Sequence, residues 1–265
     1  MKACVQRNAT GRLQALLARM KQARGGGSQQ LEDVQVYFNF FDGGGGSGVY
    51  VELGALDGMY LSNSALFDRV LGWRGVLIEA NLAHYLMLER NIRLGKRGNV
   101  SAIHAAACAS PQLLRVPSPN LADRGVVTSH GRRQIMFAAH KFGSAVATSR
   151  GEAGGSTTGT LCVPMRTLLE AAPQTATARG IDLYSIDVEG AELSVVDSHD
   201  WARLPARVLL VEVDGRAQQH EQTRKIHRVL RDRAGMCRFA LGGHGNELWV
   251  DPHFDQKVGA RPLAR

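Results

Sequence analysis

Residues 49–58, VYVELGALDG, run five strand-forming positions, Val49 to Leu53, straight into a turn with glycines at 54 and 58. A short apolar strand opening on a glycine turn is how an open α/β sheet begins, and such sheets bind ligands at the carboxyl ends of their parallel strands. The alternation continues outward. A helix is expected over 62–71, then a strand at 75–79, a helix over 82–94 and a strand at 100–106. Farther along, strand 183–187, helix 190–198 and strand 208–212 repeat the unit. Short apolar runs alternating with helical periodicity predict a mostly parallel sheet covered on both faces.

The carboxyl-terminal stretch departs from this rhythm. Helix 217–233 carries Ile226, Val229 and Leu230 on one face, and two strand-like runs follow at 237–241 and 247–250. Gly242-Gly243-His244-Gly245-Asn246 between them is too short for a crossover helix, so a hairpin and an antiparallel last strand are expected. A parallel sheet closed in this way points to the class I methyltransferase fold rather than a dehydrogenase fold. Residues 110–160 are rich in Gly, Ser and Arg without sustained periodicity and are expected to form a variable insertion. A short strand at 161–166 and a helix starting at Thr167 and running to Ala172 follow it.

The net charge of +8 is unevenly placed. Six of the 32 bases precede Glu32, the first acid, which leaves 26 bases against 24 acids in the remainder. The body is nearly neutral, and a nucleic-acid footprint is not expected. Within the basic segment, Leu13, Leu16, Leu17 and Met20 form one helical stripe, and Gly25-Gly26-Gly27-Ser28 follows as a joint. The expected organisation is a basic helical extension over 1–31 and one domain over 32–265. The extension reads either as a helix docked on the domain or as a targeting segment. The expected location is therefore cytoplasmic, or plastid or mitochondrial if the segment is a transit peptide. No run approaches about 18 apolar residues, so no transmembrane segment is expected. Cys4, Cys108, Cys162 and Cys237 are scattered with no Cys-x-x-Cys pair, which predicts neither a disulfide framework nor a zinc site and favours a reducing compartment.

Three places carry candidate chemistry. In the turn after the first strand, Leu56 stands where a dinucleotide loop wants its middle glycine, and Asp57 would oppose phosphates. A cofactor with cationic groups and no phosphate suits it, and S-adenosylmethionine, with its ammonium and sulfonium, is that cofactor. Glu79 ends the second strand, 25 residues beyond Gly54, where an acid can accept both hydroxyls of a ribose. Asp187, Glu189 and Glu192 crowd the end of a third strand. Glu189 and Glu192 read well as carboxylates at a helix N-terminus, but Asp187 lies where cofactor and acceptor should meet. Glu212 and Asp214 end the next strand and read equally as substrate contacts or solvated acids. His244 reads as a surface histidine, and no role is assigned to His130 or His140. Glu189, Glu192 and His199 do not share a helix face, so no metal is expected.

These stretches, GVYVELGALDGMYLSNSALFDRVLGWRGVLIEANLAHY with VPMRTLLEAA, IDLYSIDVEGAELSVVD and VLLVEVDG, resemble the FkbM-type methyltransferase family over roughly residues 33–250. Leu82 stands where the family usually has proline. The resemblance implies a Rossmann-like class I methyltransferase with a seven-stranded sheet. It also implies S-adenosylmethionine as cofactor and methyl transfer to hydroxyl oxygens, with a small-molecule or glycan acceptor. Carried onto this sequence, it places Glu52, Gly54, Ala55, Asp57, Gly58, Asn63 and Glu79 at the cofactor and Asp187 and Glu189 at the reaction centre. Two other readings stand beside it: a binding protein that keeps the fold without catalysis, and an NAD(P)-dependent oxidoreductase on the same sheet.

Overall fold

The computed structural model describes residues 27–42, 47–117, 157–213, 220–239 and 246–254. Among these residues the strands are β1 (Val49–Leu53), β2 (Arg74–Glu79), β3 (Val100–His104), β4 (Ala106–Ala107), β5 (Gln112–Pro117), β6 (Thr157–Val163), β7 (Ile181–Ile186), β8 (Ala206–Glu212), β9 (Cys237–Phe239) and β10 (Asn246–Val250). The helices are α1 (Glu32–Val36), α2 (Ala65–Arg69), α3 (Leu82–Arg93), α4 (Met165–Ala171), α5 (Pro173–Ala176), α6 (Glu192–Ser198) and α7 (His220–Asp232), and a π-helical turn over Tyr37–Phe41 extends α1.

Seven strands form one sheet in the order β3-β2-β1-β7-β8-β10-β9. Parallel pairing runs from β3 through β2, β1 and β7 to β8. β10 lies antiparallel between β8 and β9, as the short glycine-rich connection requires. Strand order reverses between β1 and β7, which opens a crevice outside their carboxyl ends. All five residues of β1 are buried, because side chains alternate between two apolar layers. Val51, Leu53, Val76, Ile78, Tyr184 and Ile186 meet α4, α6 and α7 on one face. Tyr50, Leu77, Leu183 and Leu210 meet α1, α2 and α3 on the other. This is the class I methyltransferase arrangement.

Several expectations are revised. The helix expected over 62–71 is confined to Ala65–Arg69, because Ser62, Asn63 and Ser64 are drawn to Glu52 instead. The strand expected over 100–106 breaks at Ala105, and Ala106–Ala107 joins a second sheet, β4-β6-β5. β5 and β6 pair antiparallel from Gln112↔Cys162 to Pro117↔Thr157, so both ends of the insertion are ordered strands; residues 118–156 lie outside the described residues. Helix α4 starts at Met165 rather than Thr167, with Pro164 as its cap.

The cysteine expectation is overturned. Cys108 and Cys162 form a disulfide with Cα atoms 5.5 Å apart, and Cys237 is also disulfide-bonded. Distance along the sequence is a poor guide here, because β4 pairs in parallel with β6 and sets Ala106 against Cys162. The reducing compartment favoured on the ground of scatter loses its basis.

Residues 27–31, expected to belong to the extension and its joint, lie against the domain. Gly27 bridges Tyr60, and Ser28 Oγ donates to Asp33 Oδ1 at 2.6 Å. Asn246 Nδ2 of β10 donates to Glu32 Oε1 at 2.9 Å. The basic amphipathic stretch within residues 1–26 lies outside the described residues. No helix of the described residues is long and apolar enough to cross a membrane.

Candidate functional site

The crevice begins where β1 ends. Gly54 has φ +75°, and a Cβ there would fall 1.6 Å from the carbonyl oxygen of Asp187. Only glycine allows the ends of β1 and β7 to meet this closely. Leu53 O accepts from Asp187 N at 3.2 Å, and Ile78 O accepts from Gly54 N and Ala55 N at 3.0 and 3.2 Å. Leu56 turns through φ +49° and aims its N–H at Glu79 Oε2, 2.8 Å away. Asp57 Oδ1 accepts from Met59 N and Tyr60 N at 2.9 and 2.8 Å. Gly58, again at φ +75°, has no room for a Cβ, which would lie 2.4 Å from Leu88 Cδ1 of α3.

The residues expected at the cofactor therefore divide by what they touch. Gly54, Ala55 and Gly58 form the turn itself. Glu79 ends β2 with 5% of its surface exposed; its Oε1 accepts from Asn81 N at 2.7 Å and its Oε2 from Leu56 N. Each oxygen keeps a lone pair for a further donor. Glu52 engages both oxygens within the chain: Oε1 accepts from Asn63 N, and Oε2 from Ser62 Oγ and Ser64 Oγ. Asn63 in turn donates through Nδ2 to Ser185 Oγ on β7 at 2.9 Å. Glu52, Asp57 and Asn63 thus shape the turn and tie it to the neighbouring strands.

Opposite the turn, β7 leads into Asp187-Val188-Glu189-Gly190. Glu189 sits at φ +53° and Gly190 at φ +104°, a left-handed pair that folds the chain sharply toward α6. Glu192, in the first turn of α6, accepts through Oε1 from Gly190 N at 2.9 Å and Val188 N at 3.3 Å, so its side chain holds the bend before the helix rather than capping the helix's own N–H groups. Gln222 of α7 fixes the same bend by donating to Gly190 O at 2.8 Å. Carboxylate oxygens of Asp187, Glu189 and Glu212 lie within 4.8 Å of one another. Burial pushes the Asp187 carboxyl well above its ordinary range, and the charge and hydrogen bond of Glu212 push it further, with Glu189 and Glu192 adding to the effect. Glu212, read from sequence equally as a contact or a solvated acid, is thus an immediate partner of Asp187. Three such oxygens are also a grouping that can hold a cation, where the sequence reading expected no metal. His199 is not among them: it is buried beside Tyr184 and Trp201 with Nε2 against Leu204 O. Asp214, His130, His140 and His244 lie outside the described residues.

Sequence reasoning missed the residues behind the turn. His84, Leu88 and Asn91 share one face of α3 and are all buried. His84 Nδ1 lies 3.9 Å from Glu79 Oε1, Leu88 backs Gly58, and Asn91 Nδ2 donates to Asp57 O at 2.8 Å. The spacing of two polar residues along an apolar stripe was the available signal. Arg97, beyond α3, donates to Gly58 O.

A tight turn between two glycines, a carboxylate at the end of β2 and acids flanking both suit a nucleoside with cationic substituents better than a pyrophosphate. A family model for the FkbM methyltransferase domain matches residues 52–235. No curated protein sequence matches the chain. Among solved structures it is similar to the FkbM methyltransferase of Methylobacillus flagellatus KT, with 14% identity and a TM-score of 0.45 over 89% of this chain and 59% of that one. It therefore spans about three fifths of that protein. It is also similar to an O-methyltransferase from Bacillus cereus in complex with SAH (14% identity, TM-score 0.40, 92% of this chain and 90% of that one). A SAM-dependent methyltransferase from Aquifex aeolicus matches at 11% identity and a TM-score of 0.37, over 92% of this chain and 98% of that one. The family match takes in the turn after β1, the acid of β2 and the acidic bend after β7, and the chain belongs to the FkbM methyltransferase family.

Proposed function

We propose that this chain moves a methyl group from S-adenosylmethionine to a hydroxyl oxygen of a sugar, lipid or metabolite acceptor. Methyl transfer follows from the family; the oxygen acceptor is the finer reading, and the contact between Asp187 and Glu212 carries it. A hydroxyl must lose its proton as its oxygen gains carbon, so a base at the reaction centre is of direct use. Two carboxylates in contact hold a proton between them more readily than either alone. The ionised form of Asp187 then takes the acceptor's proton, with Glu189 as the alternative base. When bound, S-adenosylmethionine supplies an electrophilic methyl group on a sulfonium. Gly54, Ala55 and Gly58 would line its seat, Glu79 would accept its ribose hydroxyls, and Glu52, Asp57 and Asn63 would keep the turn in shape. The remaining work is alignment, which the rigid ends of β1 and β7 serve.

The test is transfer of a labelled methyl group to a panel of glycans, lipids and metabolite alcohols, with amines alongside. Label in an ether supports the reading, and label confined to amines sinks it. Normal cofactor binding with no transfer to any acceptor favours the non-catalytic binding protein. Calorimetry on Glu79→Ala should show affinity for S-adenosylmethionine reduced by roughly 10–150-fold, the loss of about 1.5–3 kcal/mol of charge-assisted hydrogen bonding. Equal affinity in variant and parent removes Glu79 from the site. Tighter binding of a nicotinamide dinucleotide than of S-adenosylmethionine would restore the oxidoreductase reading.

A further inference from the structure

We propose that Arg97 is a positioning residue for cofactor binding, a buried guanidinium that clamps the Gly54–Gly58 turn to the Ser62–Ser64 segment behind it. The inference rests on the reading of that turn as the cofactor's seat. Arg97 is 3% exposed, and all five of its N–H donors have an acceptor. Nη1 donates to Gly58 O and to Ser62 Oγ. Nη2 donates to Ser64 Oγ at 2.7 Å and to Tyr50 OH at 3.0 Å. Nε donates to Asp68 Oδ2 at 2.6 Å. One planar group thereby fixes the turn, β1, α2 and the 62–64 segment relative to each other.

The connection continues past these first partners. Ser62 and Ser64, held by Arg97, are the hydroxyls that donate to Glu52, and Asn63 between them reaches Ser185 on β7. A chain of hydrogen bonds with Arg97 at its root thus adds to the direct pairing of β1 with β7 in setting the turn. Stability alone is a poor account of such a group, since a buried ion pair is often matched or bettered by apolar packing of the same volume. A rigid fork that sets a carbonyl and two hydroxyls in one plane provides geometry that packing does not.

Lysine keeps the charge but cannot reproduce the fork, which makes Arg97→Lys the informative variant. It should remain folded and bind S-adenosylhomocysteine about 10–100-fold more weakly by calorimetry. Its transfer rate at saturating S-adenosylmethionine should fall less than its affinity, since Arg97 touches neither Asp187 nor Glu212. In Arg97→Gly, added methylguanidinium should restore affinity; Arg97→Lys alone carries the test if the glycine variant does not fold. Glu79→Ala is the control for the site. Parent-like affinity in Arg97→Lys with reduced affinity in Glu79→Ala overturns the role of Arg97 and leaves the site intact. Parent-like affinity in both variants overturns the site and this inference with it. A loss that merely tracks the unfolded fraction in a thermal melt also overturns the positioning role.

Discussion

Asp187, partly buried, and Asp33, fully buried, are both acids whose carboxyls hold a proton more tightly than usual, with different consequences. Asp187 is useful as a base only when ionised, and burial beside Glu212 raises its proton affinity. Turnover should therefore rise with pH through the Asp187 titration and fall away below it. Glu212→Gln removes the neighbouring charge and should move that acidic limb to lower pH in single-turnover measurements; an unmoved limb separates Glu212 from the base. Asp187→Asn cannot take a proton and should slow the chemical step by ~10²–10⁴ with near-normal S-adenosylmethionine affinity. Poor affinity with a normal saturated rate would move Asp187 to the cofactor, and no effect on either would pass the role to Glu189. Asp33 is fully buried, and its Oδ2 has no partner among the described residues. Burial pushes its carboxyl from 3.8 up to about 6, against the opposing pull of hydrogen bonds from Ser28 and Val34. A folded-state value above the unfolded one means that its stabilising contribution is complete below pH 3.8 and is lost as pH rises through about 6. Above that, the buried charge costs roughly 3 kcal/mol. Asp33→Asn keeps Oδ1 as acceptor but strands an amide N–H, so a net gain of about 1–2 kcal/mol is expected at pH 7.5 and none at pH 4. Urea unfolding at the two pH values checks this, and equal differences at both would show that Asp33 carries no buried charge. Strand-end acids such as Glu79 and Asp187 were legible because their elements were. Arg97 was not, since its ion-pair partner Asp68 lies 29 residues away in an element whose face cannot be read from so short a helix.

Elements with strong local patterns were read nearly to the residue: β1 at Val49–Leu53 and α3 at Leu82–Arg93. Of the second sheet only the end of β6 was legible, in the short strand expected at 161–166; its pairing was not, because β5 and β6 meet across a gap of 39 residues, 118–156, and neither strand alternates cleanly. The disulfide follows from that sheet and was missed with it. Its cysteines are 54 residues apart, so loop closure alone predicts a loss of about 4 kcal/mol when both become alanine. The effect should reach the cofactor, because Thr160 on β6 donates to Ala80 O at 2.8 Å, one residue past Glu79. The double variant should therefore unfold at lower denaturant and bind S-adenosylmethionine more weakly. An unchanged unfolding midpoint would show that the bridge adds nothing to stability.

At the scale of the molecule, the uneven charge separates a basic leading segment from a nearly neutral body. Removing residues 1–26 should leave cofactor binding intact, whereas removing 1–31 should weaken it, since Gly27 bridges Tyr60 beside Asp57 and Ser28 holds Asp33. Calorimetry on the two truncations decides, and equal affinities would detach residues 27–31 from the site. The overall architecture was the most legible level of all: a glycine-rich connection too short for a helix already required the antiparallel strand. That strand has one more consequence, for the order in which the chain is made. β10 is the last strand described and lies between β8 and β9, both made before it. On the ribosome, β8 can pair with β7 early, but its outer edge must wait for Asn246–Val250 to emerge. Until then the nascent chain shows a row of unpaired backbone donors and acceptors, the edge that recruits foreign strands. Synthesis and assembly thus run in different orders, and a translation pause in the final stretch would prolong the interval in which a chaperone has something to hold.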